Sequence, residues 1–138
     1  MSQQNISVLT LTLTASGTVS SHRAIGFDGA QATSQGQKVA GATLSQADDG
    51  GSVAVITHGT AIIESGASIA VGDSLMTDSQ GRVIPATTLG ISSGAVAVSS
   101  SAADGAILEG GDLPEFVFAD ALQGAASAGK RIEVLLRR

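Results

Sequence analysis

Five residues in this chain spell a pattern associated with covalent catalysis: Gly90-Ile91-Ser92-Ser93-Gly94. A G-x-S-x-G run acts as a nucleophile elbow when a strand enters it and a helix leaves it. The serine then needs an acid and a histidine further along the chain. Both histidines, His22 and His58, precede Ser92, and a chain with 18 glycines produces such a match cheaply. His22 beside Arg23 and His58 before Gly59 lack zinc-ligand spacing, and no cysteine is present to complete a tetrahedral set. His58 is expected to be a partly exposed residue at a strand end. Asp48-Asp49-Gly50 and Gly110-Gly111-Asp112 invite a calcium reading. Neither has alternating oxygen ligands closed by a glutamate at the twelfth position. No glycine-rich phosphate loop of either common spacing occurs. No enzyme, metal site or cofactor is expected.

Composition narrows the classes further. At 138 residues the chain is one domain by length, able to bury roughly two-thirds of its unfolded surface. Seven basic residues and a net charge of −5 leave no means of neutralising a phosphate backbone, so nucleic acid is not an expected partner. The absence of cysteine excludes disulfides and fits a reducing compartment. The start, MSQQNISVLTLTLT, lacks the basic and apolar regions of a signal peptide, so the Asn5-Ile6-Ser7 sequon carries no meaning. No apolar run reaches 18 residues, and no membrane span is expected. The aromatics are Phe27, Phe116 and Phe118. The core must therefore be Val, Ile, Leu and Ala, packed closely, with part of the stability supplied by association with other chains.

The elements that would carry such a core are short strands. Val71 to Ala86 is organised as a hairpin: Leu75 and Val83 lie on apolar runs, and Asp78-Ser79-Gln80-Gly81 supplies a turn with an aspartate cap and a glycine bulge. Pro85 should end its strand or place it on an edge. From Ile6 to Thr14 the residues alternate, with Leu9, Leu11 and Leu13 on one face and Thr10, Thr12 and Thr14 on the other. Ile6 and Val8 fall out of phase, which predicts a bulge near Val8-Leu9 or cover by another chain. Asp28-Gly29 predicts a two-residue hairpin, and Ser34-Gln35-Gly36 another turn. A strand–small loop–strand unit recurs. Leu44 matches Leu122, Ala47 matches Ala125, Gly51 matches Gly129, and Val53-Ala54-Val55 matches Ile132-Glu133-Val134 after a one-residue gap, with a weaker echo over 94–107. The Ala-rich stretch after Phe118 has partial helical spacing, but the repeat favours strand and loop. Turn signals every 8–12 residues argue an all-β barrel or sandwich.

The order of these features resembles the capsid cement, or head decoration, proteins of tailed bacteriophages. The resemblance rests on the Leu/Thr strand, then HRAIGFDGAQ, VAGATLSQADDGGSVAV, GTAIIESGASIAVGDSLMTDSQGRVIP and the closing ADALQGAASAGKRIEVLL. It implies an all-β, small barrel or sandwich, β-tulip-like domain over residues 9–138, with an extended N-terminal arm over 1–8. Residues 90–115 depart from the pattern as a long irregular insertion. It also implies a non-enzymatic virion protein, made in the host bacterial cytoplasm, that binds the outside of the major capsid protein shell. Such proteins commonly act as homotrimers that reinforce the expanded head, without nucleic acid, membrane or small-molecule substrate. Ser2, Gln3, Gln4, Asn5, Ile6, Ser7 and Val8 are then the capsid-binding arm. The competing class is a β-rich adhesive or carbohydrate-binding module of a fibre or surface layer. The lack of Trp and Tyr platforms argues against it.

Overall fold

Asp78 organises the central hairpin as its position in the sequence predicts. In the computed structural model, which describes residues 3–87 and 115–137, its Oδ1 accepts the amides of Gln80 and Arg82, both at 2.8 Å. Its Oδ2 takes the Arg82 Nε, also at 2.8 Å. The turn joins β5 (Ser74–Thr77) to β6 (Val83–Pro85), and β6 ends at Pro85 at one end of the strand order. Asp28 builds the same kind of turn, not the expected two-residue one. The Gly26 amide donates to Ala30 O at 2.8 Å, and Asp28 Oδ1 accepts the Ala30 amide. A two-residue turn of the common type needs two left-handed residues; here Gly29 has φ 82 while Asp28 stays at negative φ.

The remaining strands are β1 (Ser7–Thr14), β2 (Ala24–Ile25), β3 (Gly41–Thr43), β4 (Ser52–Glu64), β7 (Ala119–Ala121) and β8 (Arg131–Leu136). They form one antiparallel sheet in the order β2-β3-β4-β8-β7-β5-β6, with β1 also paired to β4. The sheet curls until its ends approach: the Ala24 amide donates to Gly81 O at 2.7 Å and the Gly36 amide to Thr77 O at 2.8 Å. The result is a small, nearly closed all-β barrel. The Ala-rich stretch after Phe118 is strand and loop, as the repeat favoured. The bulge expected near Val8-Leu9 is present, with register shifts between Ser7 and Leu9 and between Leu9 and Thr10. His58 is not at a strand end. β4 continues through Gly59 to Glu64 because Gly59, at φ 105, lets the strand bend without breaking.

The two halves of the barrel share one plan down to the register. β2 pairs β3 through Ala24↔Ala42 and Ile25↔Gly41, and β5 pairs β7 through Ser74↔Asp120 and Leu75↔Ala119. β3 pairs β4 through Ala42↔Ile56 and Thr43↔Val55, while β7 pairs β8 through Asp120↔Leu135 and Ala121↔Val134. β1 meets the start of β4 through Leu13↔Val53 and Thr14↔Ser52; the end of β4 meets β8 through Ile63↔Ile132 and Glu64↔Arg131. The isolated bridges Val19↔Ala47 and Ile69↔Ala125 also correspond. Residues 10–25 therefore map onto 60–75, 41–47 onto 119–125, and 52–57 onto 131–136. β4 is shared, closing the first unit and opening the second. One detail differs from the sequence alignment. Gly50, not Gly51, matches Gly129, since Gly50 donates to Ala15 O as Gly129 does to Ser65 O, both at 2.8 Å. The echo over 94–107 lies outside the described residues.

The apolar interior divides in two. The larger cluster spans both units and includes Ile56, Ile63, Leu75, Val83, Ile132 and Val134. A smaller one gathers Ala15, Val19, Ile25, Val53 and Val55, with Leu13 and Ala47 packed against it. Leu9 and Leu11, on the same face of β1 as Leu13, extend past this cluster and remain 45% and 43% exposed.

Candidate interaction surface

The N-terminal residues are laid along β4 and β8. Gln3 Nε2 donates to Arg131 O, and the Gln4 amide to Glu133 Oε2 at 3.1 Å. Asn5 Oδ1 accepts the Ile62 amide at 3.1 Å. Ile6 donates its amide to Thr60 Oγ1 at 3.0 Å and accepts the Thr60 amide at 2.9 Å. Ser7 and Val8 already belong to β1. Of the arm predicted from sequence, Ser2 lies outside the described residues, and Gln3 to Val8 form one continuous exposed ridge. Ile6 and Val8 present most of their side chains to solvent, 56% and 79%.

Beyond the arm the ridge continues as the outer edge of β1. Ala54 gives its carbonyl to Leu44 of the neighbouring segment, so Val53 and Val55 direct their backbone groups to β1, opposite Leu13 and Leu11. The amides and carbonyls of Thr10 and Thr12 consequently point away from β4. Among the described residues no element pairs with that edge at Thr10 and Thr12. At Thr14 the turn at Gly29 closes in, so tightly that a Cβ on Gly29 would lie 2.0 Å from Thr14 O. From Ser2 to Ser21 the sequence carries no charged residue. The arm is legible in the sequence and this edge is not. Leu/Thr alternation announces a strand with one apolar face but cannot say which of its two edges is paired.

The other candidates have local structural employment. Asp49 Oδ1 accepts the Gly17 amide at 2.8 Å. His22 Nδ1 lies 3.1 Å from Ile62 O, and His58 Nδ1 3.2 Å from Thr57 Oγ1. Among the described residues no three His, Cys, Asp or Glu side chains gather as a metal would require. Ser92 with its flanking glycines, and Gly110-Gly111-Asp112, lie outside the described residues. Phe27 and Phe116 flank Lys38, whose Nζ stands 5.9 and 5.8 Å from the two ring centroids.

Among the described residues the ridge combines an open backbone edge with the exposed side chains of Ile6, Val8, Leu9 and Leu11, the features by which one polypeptide can add a strand to another. The fold has a counterpart among solved structures, the head fiber gp8.5 N base of bacteriophage phi29. The TM-score is 0.62 at 16% identity, over 94% of this chain and 95% of that one. No curated protein matches the sequence. The family model described as phage cement protein matches residues 2–111, most of the chain. The chain belongs to the phage cement proteins.

Proposed function

We propose that this protein sits on the outside of a phage capsid and ties neighbouring major capsid protein subunits together, stabilising the expanded head. It does so without catalysis or cofactor, as a homotrimer made in the host bacterial cytoplasm and carried on the virion. The observation that supports this reading is the uncharged ridge of residues 3–12, which offers apolar side chains and backbone groups and nothing that could act on a small molecule. Ser2, Gln3, Gln4, Asn5, Ile6, Ser7 and Val8 form the arm that contacts the shell. Backbone pairing of this kind is indifferent to the partner's side chains and adds affinity with each bond. A trimer contacting several capsid subunits makes the later contacts intramolecular, which raises avidity by roughly 10²–10⁴-fold over one site.

The test is decoration of expanded heads by the protein lacking residues 2–8. Residues 9–14 keep their pairing to β4, so the truncated chain should retain its fold and its oligomeric state. It should no longer bind heads in a co-sedimentation assay. Normal decoration by the truncated protein would remove the arm from the mechanism. An adhesive or sugar-binding role instead requires glycan binding by the intact chain. Its two exposed rings, Phe27 and Phe116, are already engaged by Lys38.

A further inference from the structure

The internal duplication supplies a template for the unpaired edge. Thr10, Thr12 and Thr14 map onto Thr60, Ile62 and Glu64, and in the second unit these three amides are all engaged on the side away from β8. Thr60 donates to Ile6 O at 2.9 Å, Ile62 to Asn5 Oδ1 at 3.1 Å, and Glu64 to His22 O at 3.1 Å. What covers Thr60 and Ile62 is an extended, uncharged segment running antiparallel to β4. In the first unit Thr14 is closed off by the turn at Gly29, but among the described residues Thr10 and Thr12 have no such segment.

We infer that the outer edge of β1 at Thr10 and Thr12 receives an extended, uncharged segment of the shell protein. This segment runs antiparallel to β1 and adds a strand to the barrel as Asn5 and Ile6 do on the pseudo-equivalent edge. The inference rests on the capsid-binding reading and deepens it by naming the partner element and its direction. Charge selects the occupant. The edge lies in a stretch without a charged residue, so a charged tail finds no counter-charge beside it and must be partly desolvated. Leu9 and Leu11 flank Thr10 on the face that continues the smaller core cluster. An added strand with apolar residues at alternate positions covers them and completes that cluster. The chain's own arm is not free for this role while residues 3–6 stay engaged on β4 and β8.

Proline separates the edge from the fold. A proline on an edge strand whose amide faces outward removes no ladder bond, so Thr12→Pro should fold like the wild type, whereas Thr12→Ala keeps the amide and removes only the side chain. In co-sedimentation with expanded heads, Thr12→Pro is expected to bind roughly tenfold or more weakly, the effect of lost backbone bonds summed over several sites. Thr12→Ala should bind within about twofold of wild type. Hydrogen exchange on the wild-type protein gives a readout that needs no variant: the amides of Thr10 and Thr12 should exchange more slowly on heads than in solution. Unchanged exchange there, or wild-type binding by a folded Thr12→Pro, overturns the inference while the arm reading stands or falls on its own truncation. A dimer that Thr12→Pro splits without affecting head binding would assign the edge to a second copy and overturn it too. Failure of the intact protein to bind heads removes both readings.

Discussion

Gly59 shows how one residue without a side chain permits the architecture. A Cβ placed there would lie 2.2 Å from Ile6 O and 2.9 Å from the Val8 amide, and its φ of 105 lies where residues with side chains are strained. The glycine sits where β4 passes from pairing with β1 and β3 to pairing with β8, so both units depend on it. Gly59→Ala must push the arm off β4 or distort the bend. Backbone strain and the lost Thr60–Ile6 bond together should cost about 2–4 kcal/mol, read as a lower midpoint in urea unfolding. Native-like stability of that variant would mean that the arm moves away without penalty. Asp78 is the contrasting case. Its whole role is local, two amides and one guanidinium within four residues, which is why the sequence around it disclosed the turn completely. Gly59 looked like a strand terminator because the carbonyl it must approach is contributed by residues more than fifty positions away, and no local pattern carries that information.

Among the elements, β4 explains both what the sequence disclosed and what it withheld. The match of Leu44 with Leu122 and Ala47 with Ala125 was visible because each loop is bridged in the same way, by Val19 and by Ile69, and the same spacing must serve both. The match of β1 with the second half of β4 was hidden. Identical register there is held by backbone pairing and leaves the side chains free to diverge, Leu13 and Thr14 against Ile63 and Glu64. Equivalent positions also differ in environment. Ile63 is fully buried within the larger cluster, while Leu13 is only partly covered at the margin of the smaller one. Ile63→Ala should therefore cost about 2–5 kcal/mol in a core that cannot collapse around the gap. Leu13→Ala should cost less, about 1–2 kcal/mol in the free protein, since part of its surface is already wet. If capsid binding covers that margin, the loss at Leu13 should grow in decorated heads, measurable as earlier thermal release of the variant from the shell.

At the scale of the molecule, two duplicated units sharing a strand close most of a barrel with scarcely any aromatic core. Phe118 is the single aromatic buried among the described residues. Such a core depends on short connections and close backbone approach, which sets it apart from the stretch between Thr87 and Glu115. The ends of that stretch are tied to each other and to the barrel. Thr87 donates its amide and its hydroxyl to the Glu115 carboxylate at 3.2 and 3.0 Å, and the Phe116 amide donates to Gly36 O at 2.9 Å. All eight described strands find their pairing without residues 88–114. Replacing 88–114 by a four-residue Gly-Ser link shortens the closed loop about sevenfold, which in chain-entropy terms is worth roughly 1.7 kcal/mol in favour of the shortened protein. The shortened chain should therefore unfold at an equal or slightly higher urea concentration, with the same cooperativity. A broad or early transition would mean that the segment holds up the barrel, and would end its treatment as an insertion. Head binding by the shortened chain then separates the two surfaces. Unchanged decoration leaves adhesion with the uncharged ridge of residues 3–12, whereas lost decoration with an intact fold assigns part of the shell contact to residues 88–114.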